Sequence, residues 1–320
     1  PYLILNGSFG IAMGTTTCLP SHNLGEILAA LKELLGKPDA SEDEVLRHIK
    51  GPDYNAGSLL SDRREVLALY RTGHGRIRYV CDYELEEDKK YRALVITGYS
   101  PGFSPHGFID RLKRLAADGK KFLVSDEGSD ETGTRLVVEY ESLADLRAHV
   151  FPELETAVSY NFNVCERRED DDNRFFHVTM VDFLRKWLDF RREAEAELLN
   201  LECRELERRL ACEDARLAVI RDLGRYFKIL QGARDLAAEV QAQFKFTPDQ
   251  AEFVLASSSR SLGRRGESEQ AATIKGLREQ VKERRVKLSH LDRWILELLE
   301  GYAPLCDKRR TKPRQRVRDV

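Results

Sequence analysis

From Ile274 to Leu298 the apolar residues hold one heptad frame. Ile274, Leu277, Val281, Leu288, Leu291, Ile295 and Leu298 fall on its a and d positions, with Arg284 as the polar occupant. A stripe that narrow is buried only against a second helix of the same kind. The chain supplies one. From Thr179 no proline occurs until Pro248, helix formers dominate, and Leu206, Leu210, Leu217 and Ile220 keep one face. The simplest solution is an antiparallel coiled-coil hairpin, with an outgoing helix over 179–230, a compact insert over 231–266 and a returning helix over 267–306. At about 1.5 Å per residue, such an arm would reach on the order of 60 Å.

The part before it reads differently. Leu3-Ile4-Leu5 and Ile11-Ala12-Met13 are short strand candidates about the turn Gly7-Ser8-Phe9-Gly10, and Arg76–Leu85, Tyr91–Thr97, Lys121–Val124 and Thr134–Tyr140 are further strands. Asn23 with Glu26, and Ser41 with Glu44, have the spacing of helix N-terminal caps ahead of apolar runs. The fold class is therefore α+β: a mixed α/β domain over 1–178 followed by the helical hairpin.

The hydrophobic share of 42% is enough for a sizeable core, and no apolar run approaches a membrane span. Six cysteines without a C-x-x-C pair argue against structural zinc and fit a reducing, cytoplasmic setting. A net charge of −2 excludes a general polycation. Charge is local instead: Glu166 to Asp172 is acidic, and the tail 307–320 contains seven Lys/Arg between Lys308 and Arg318, as a solvated or anion-seeking arm would. The first residues, Pro1 to Asn6, contain neither a signal peptide pattern nor a Met, as expected of an excised segment.

Several motifs then appear in order. Asn6-Gly7-Ser8-Phe9-Gly10-Ile11-Ala12-Met13-Gly14, followed by Leu19-Pro20-Ser21-His22-Asn23-Leu24, closely resembles the N-G-S-x-G-I-A-x-G…I-P-P-H-N-L stretch of the type IIA DNA topoisomerase A subunit, that of bacterial gyrase and topoisomerase IV. Gly51-Pro52-Asp53-Tyr54 and Tyr70-Arg71-Thr72-Gly73-His74-Gly75-Arg76 resemble its G-P-D-F and Y-R-T-G-x-G segments. Asp126 to Glu139, Trp187 to Glu193 and Asp307-Lys308-Arg309-Arg310-Thr311 are similar to later segments of the same family.

The resemblance implies a DNA-supporting tower over 1–178, a coiled-coil stalk, and an exit-gate knob through which two copies form a homodimer. Leu19, braced by Pro20, would be the apolar side chain that wedges between base pairs of double-stranded DNA and bends it. Ser8, Arg71, Thr72 and Arg76 would contact the phosphate backbone. His22 and Asn23 would either do the same or cap the following helix. Phe246, Gln250, Phe253 and Val254 lie in the segment resembling the family's dimer contact. After it the chain has Ala256-Ser257-Ser258-Ser259-Arg260 where the family is richer in apolar residues, so a weaker gate is expected.

By the same resemblance the nucleophilic tyrosine and its arginine belong to an upstream domain. None of the 11 tyrosines here matches it, so no catalytic residue is assigned and the isolated chain is expected to be inactive. Mg2+ and ATP would be bound by the partner B subunit, and no metal site is assigned here. Asp170-Asp171-Asp172 reads as an acidic loop. The alternatives are a non-catalytic, DNA-associated coiled-coil scaffold, or a coiled-coil interaction protein without a DNA role.

Overall fold

The computed structural model describes residues 1–12, 14–88, 91–131, 133–166, 174–258 and 266–312. Two compact units divide it: Pro1–Leu188 together with the chain from Leu299 onward, and Asp189–Leu298.

The first unit is built on two antiparallel sheets. It opens with one helical turn, α1 (Tyr2–Leu5), then the hairpin β1 (Asn6–Ala12) and β2 (Thr15–Ser21), α2 (Leu24–Gly36) and the short α3 (Glu42–Leu46). β3 (Ser58–Leu59), α4 (Arg63–Thr72) and β4 (His74–Val80) follow. After β5 (Asp82–Asp88) and β6 (Tyr91–Gly98) come α5 (Pro105–Ala117), β7 (Phe122–Asp126) and β8 (Leu136–Tyr140). Short helical turns, α6 (Leu143–Asp145) and α7 (Phe151–Leu154), lead to β9 (Glu155–Asn161), β10 (Asn163–Glu166) and β11 (Arg174–His177). One sheet has the order β1-β2-β9-β4-β3, the other β5-β6-β8-β7, and β10 pairs with β11.

The strand expected over Arg76–Leu85 is two strands in two sheets. The chain breaks at Cys81, whose N–H donates to Leu154 O at 3.1 Å. Leu3-Ile4-Leu5, expected as a strand, forms α1 instead, with the Ile4 and Leu5 amides bonded to Pro1 O. The glycine run Gly7–Gly10 lies inside β1 rather than at a turn. Capping follows the sequence more closely. Asn23 Oδ1 accepts from the Gly25 and Glu26 amides, and Ser41 with Glu44 closes a reciprocal capping box. The second sheet packs Leu94, Ile96, Leu136 and Val138 against Phe108 and Leu112 of α5.

α8 (Met180–Arg221) starts at Thr179, whose Oγ1 accepts from Asp182 N. In the second unit, α9 (Leu223–Gly232), α10 (Leu236–Phe244) and α11 (Pro248–Leu255) cluster around Tyr226, Ile229, Val240, Ala251 and Val254. The chain returns in α12 (Gly266–Ser289) and α13 (Leu291–Glu300). The heptad frame predicts a continuous returning helix. The helix is irregular at His290, where Ser289 Oγ donates to Val286 O at 2.9 Å and competes with the His290 amide for that acceptor. Among the described residues no helix is long and apolar enough to cross a membrane.

Candidate nucleic-acid interface

A strand sends successive side chains to opposite faces, so the register of the first sheet decides what each residue can touch. In the hairpin, Phe9 faces Cys18 and Ile11 faces Thr16, while Ser8 faces Leu19. Across the sheet Cys18 pairs with Asn161, and β9 continues to β4 through His74–Asn161, Arg76–Ser159 and Arg78–Ala157. One face thus presents Phe9, Ile11, Thr16, Ser159, His74, Arg76 and Arg78. The other is the core side, where Leu19, Tyr160, Ile77 and Tyr79 are buried.

The accessibilities follow this register. Phe9 is 76% exposed and Ile11 75%, whereas Leu19 is 3% exposed. The assignment of Leu19 as the wedge is therefore corrected: its side chain is sealed in the interior, and Pro20 beside it is buried as well. The apolar groups that stand free on this hairpin are Phe9 and Ile11. Gly7 permits the arrangement, because at φ +73° a Cβ there would lie 2.9 Å from Leu19 O. Ser8 shares the inward face with Leu19 and is half-buried.

His22 is also buried and is not a phosphate contact. Its Nδ1–H donates to Ile4 O at 2.7 Å, and Tyr70 OH lies 2.8 Å from Nε2, which accepts from it. Burial is the main cause that lowers its pKa to about 4, so the ring stays neutral. Asn23 is fully engaged: its Oδ1 caps α2 and its Nδ2 donates to Asp53 Oδ2 and Asp307 O. Arg71 and Thr72 are exposed at the end of α4, but Arg71 is paired with Asp43. Thr72 Oγ1 lies 2.7 Å from both Ala68 O and His74 O. Among the described residues, Arg76 alone of these candidates combines exposure with a side chain in no ion pair or hydrogen bond. Arg78 is half-buried and reaches Glu65 Oε1 at 3.2 Å. His74 lies against His177, ring centroids 5.0 Å apart and planes tilted by 53°.

Behind this face the motif Gly51–Tyr54 clasps Asp307–Thr311. Asp53 Oδ1 accepts from the Arg310 and Thr311 amides at 2.9 and 2.8 Å, and Tyr54 N–H donates to Thr311 Oγ1 at 2.7 Å. Arg309 donates to Glu26, Gly51 O and Pro52 O. The start of the basic segment is thus docked rather than a free arm; residues 313–320 lie outside the described residues.

The family model for the A-type subunits of DNA gyrase and topoisomerase IV matches residues 1–299. The chain belongs to that family. Similar proteins include the DNA gyrase A protein of Thermotoga maritima, 28% identical over 80% of this chain and 32% of the relative. The DNA topoisomerase 4 A protein of Synechocystis sp. is 33% identical over 76% of this chain and 28% of its own. The DNA gyrase A protein of Kosmotoga olearia is 26% identical over 98% of this chain and 40% of its own length. The chain therefore spans well under half the length of these gyrase and topoisomerase relatives.

In the second unit of this gyrase/topoisomerase IV family member, the expected dimer-contact residues make contacts within the unit, and of the four only Val254 is buried. Val254 is fully buried in the α9–α11 cluster. Gln250 Oε1 accepts from Thr247 N at 2.8 Å and its Nε2 donates to Ala211 O at 3.1 Å. The Arg216 guanidinium covers the Phe253 ring at 4.5 Å, and half-buried Phe246 stacks on Phe244. The exposed large apolar residues of this region are Phe227, Leu230 and Leu236. Sequence reasoning missed them because an amphipathic helix does not announce which apolar edge stays uncovered. Asp170–Asp172 lie outside the described residues, and among the described residues no cluster of His, Cys, Asp and Glu is placed to hold a metal.

Proposed function

We propose that this chain is part of the DNA breakage-reunion core of an ATP-dependent type II topoisomerase. Its first unit supports and bends a double-stranded DNA segment on the open face of the β1-β2-β9-β4-β3 sheet. The observation that carries this reading is the shared face: Phe9 and Ile11 at one side, Arg76 and Arg78 at the other, with small polar residues between. Cations on a pleated surface position a phosphate backbone without reading sequence. An exposed apolar side chain at the margin can enter a base step, at a cost of a few kcal/mol offset by the added contact of bent DNA.

In this reading the strand-cleaving tyrosine is supplied by a segment outside this chain. The B subunit supplies ATP hydrolysis and Mg2+, and the complex works on cytoplasmic, nucleoid DNA. The paired helices of the second unit act as a coiled-coil stalk. A homodimeric exit gate forms through the helical cluster of the second unit, where half-buried Phe246, Gln250 and Phe253 adjoin the α9–α10 surface bearing exposed Phe227, Leu230 and Leu236.

The test is duplex binding and bending by the chain, read by anisotropy and by energy transfer between labelled DNA ends. Salt-sensitive binding with a bend that disappears in Ile11→Ala and Phe9→Ala together is expected. Binding without any bend would favour a non-catalytic DNA-associated scaffold, and no binding at low salt would overturn the DNA reading.

A further inference from the structure

The helices of the second unit meet along a seam in which Leu199, Ile274, Leu277, Val281 and Ile295 are buried. An apolar heptad seam is nearly degenerate, since sliding one helix by seven residues, about 10 Å, again sets apolar residues against apolar residues. Polar groups in the seam and along its edge remove that degeneracy, and here they form matched rungs. Arg192 meets Asp292 at 2.6 Å, Trp294 Nε1 donates to Glu195 at 3.0 Å, and Arg284 meets Glu202 at 2.5 Å. Gln270, buried one heptad before Leu277, donates to Glu213 through its side chain and also to Glu213 O at 3.2 Å.

The rungs are unevenly spaced on both helices. A slide of α12 by one heptad in one direction sets Leu277 against Glu213 and Leu291 against Glu202. The opposite slide sets Leu277 against Glu202 and Arg285 against Arg192. Each alternative leaves carboxylates facing leucine or cations facing each other, the configuration that makes a single buried polar group specify register.

We propose that these rungs lock α8 and α12 in one register, so that the pair moves as one rigid element and does not signal by sliding. The test is a distance distribution between spin labels at the exposed positions Arg209 and Lys282, in the full chain with its native cysteines replaced. The locked pair gives one narrow distance. Replacing the Glu202–Arg284 and Glu213–Gln270 rungs by leucines should add a second, resolved population, its distance changed by part of the one-heptad axial slide of about 10 Å. A single unchanged distance in that variant, or two distances in the parent, overturns the proposal. If the leucine variant does not fold, charge reversal decides. R284E alone should broaden the distribution, and E202R with R284E should restore the single distance; failure to restore it overturns the lock.

Discussion

Arg309 reaches back across 283 positions of sequence to Glu26, placing its guanidinium 3.0 Å from a carboxylate at the base of α2. The two side chains are only 15% and 9% exposed. The same guanidinium takes the Gly51 and Pro52 carbonyls, so one side chain fastens the returning chain to α2 and to the loop beneath the sheet.

Removing one member of such a pair leaves the other charge without its partner in a desolvated site. Arg309→Met is expected to cost on the order of 3 kcal/mol in urea unfolding. Arg309→Met with Glu26→Gln should cost clearly less than the sum of the single changes, because the stranded charge is then gone. Additive losses would show that the pair is not a coupled unit.

His22 gives the first unit a pH dependence of defined sign. Its folded pKa is held at about 4, first by burial, with the Ile4 carbonyl bond opposing. In the unfolded chain the ring titrates near 6.5. Between these values the unfolded state binds more protons, so stability falls as pH drops from about 6.5 toward 4, by about 3 kcal/mol in all. Urea midpoints measured across that range should fall, and His22→Gln should flatten this part of the profile. An equal slope in the variant would assign the loss to other groups.

Of the heptad positions, Ile274, Leu277, Val281 and Ile295 are buried, a pattern the sequence showed because a seven-residue period is long enough to stand out. The two N-terminal caps were legible because Asn23 and Ser41 have local partners. What the sequence did not reveal was set by tertiary pairing. Leu3-Ile4-Leu5 has strand composition but forms a turn of helix under Pro1. Arg76–Leu85 reads as one strand but changes sheets at Cys81. The face of the hairpin depended on register: Leu19 and Ile11 are both bulky apolar residues near glycines or proline. Only the pairing of Ser8 with Leu19 and of Ile11 with Thr16 shows which of them points outward. Arg71 and Arg76 were likewise equivalent on paper, and Asp43 separates them.

Arg76 is therefore the cation whose loss should be felt in DNA binding alone. An exposed side chain without partners contributes within about 0.5 kcal/mol to stability, so Arg76→Ala should unfold with the parent. Its duplex affinity should fall for every sequence alike, and the slope of log affinity against log salt should diminish by about 1. Arg71→Ala, which removes a group already neutralised by Asp43, should change that slope less. Equal effects from the two would move the phosphate track toward the end of α4.

Two glycines with the same left-handed backbone separate strain from crowding. Gly14, at φ +78°, has nothing within 4 Å of the position a Cβ would take. Gly14→Ala should therefore cost only the left-handed penalty of about 1–2 kcal/mol. Gly73, at φ +69°, ends α4, and a Cβ there would lie 2.2 Å from Val178 O and 2.5 Å from His177 Nε2. Both neighbours are committed: Val178 N–H donates to Phe162 O, and His177 Nε2 lies 2.6 Å from Thr72 O. Neither can retreat without breaking the strand connections around β9. Gly73→Ala should thus cost several kcal/mol, on the scale of overpacking added to backbone strain, and abolish the cooperative transition of the first unit. Unfolding curves of the two variants side by side would check this. Equal losses would mean that the β10–β11 segment yields and that Gly73 is retained for its backbone angles alone.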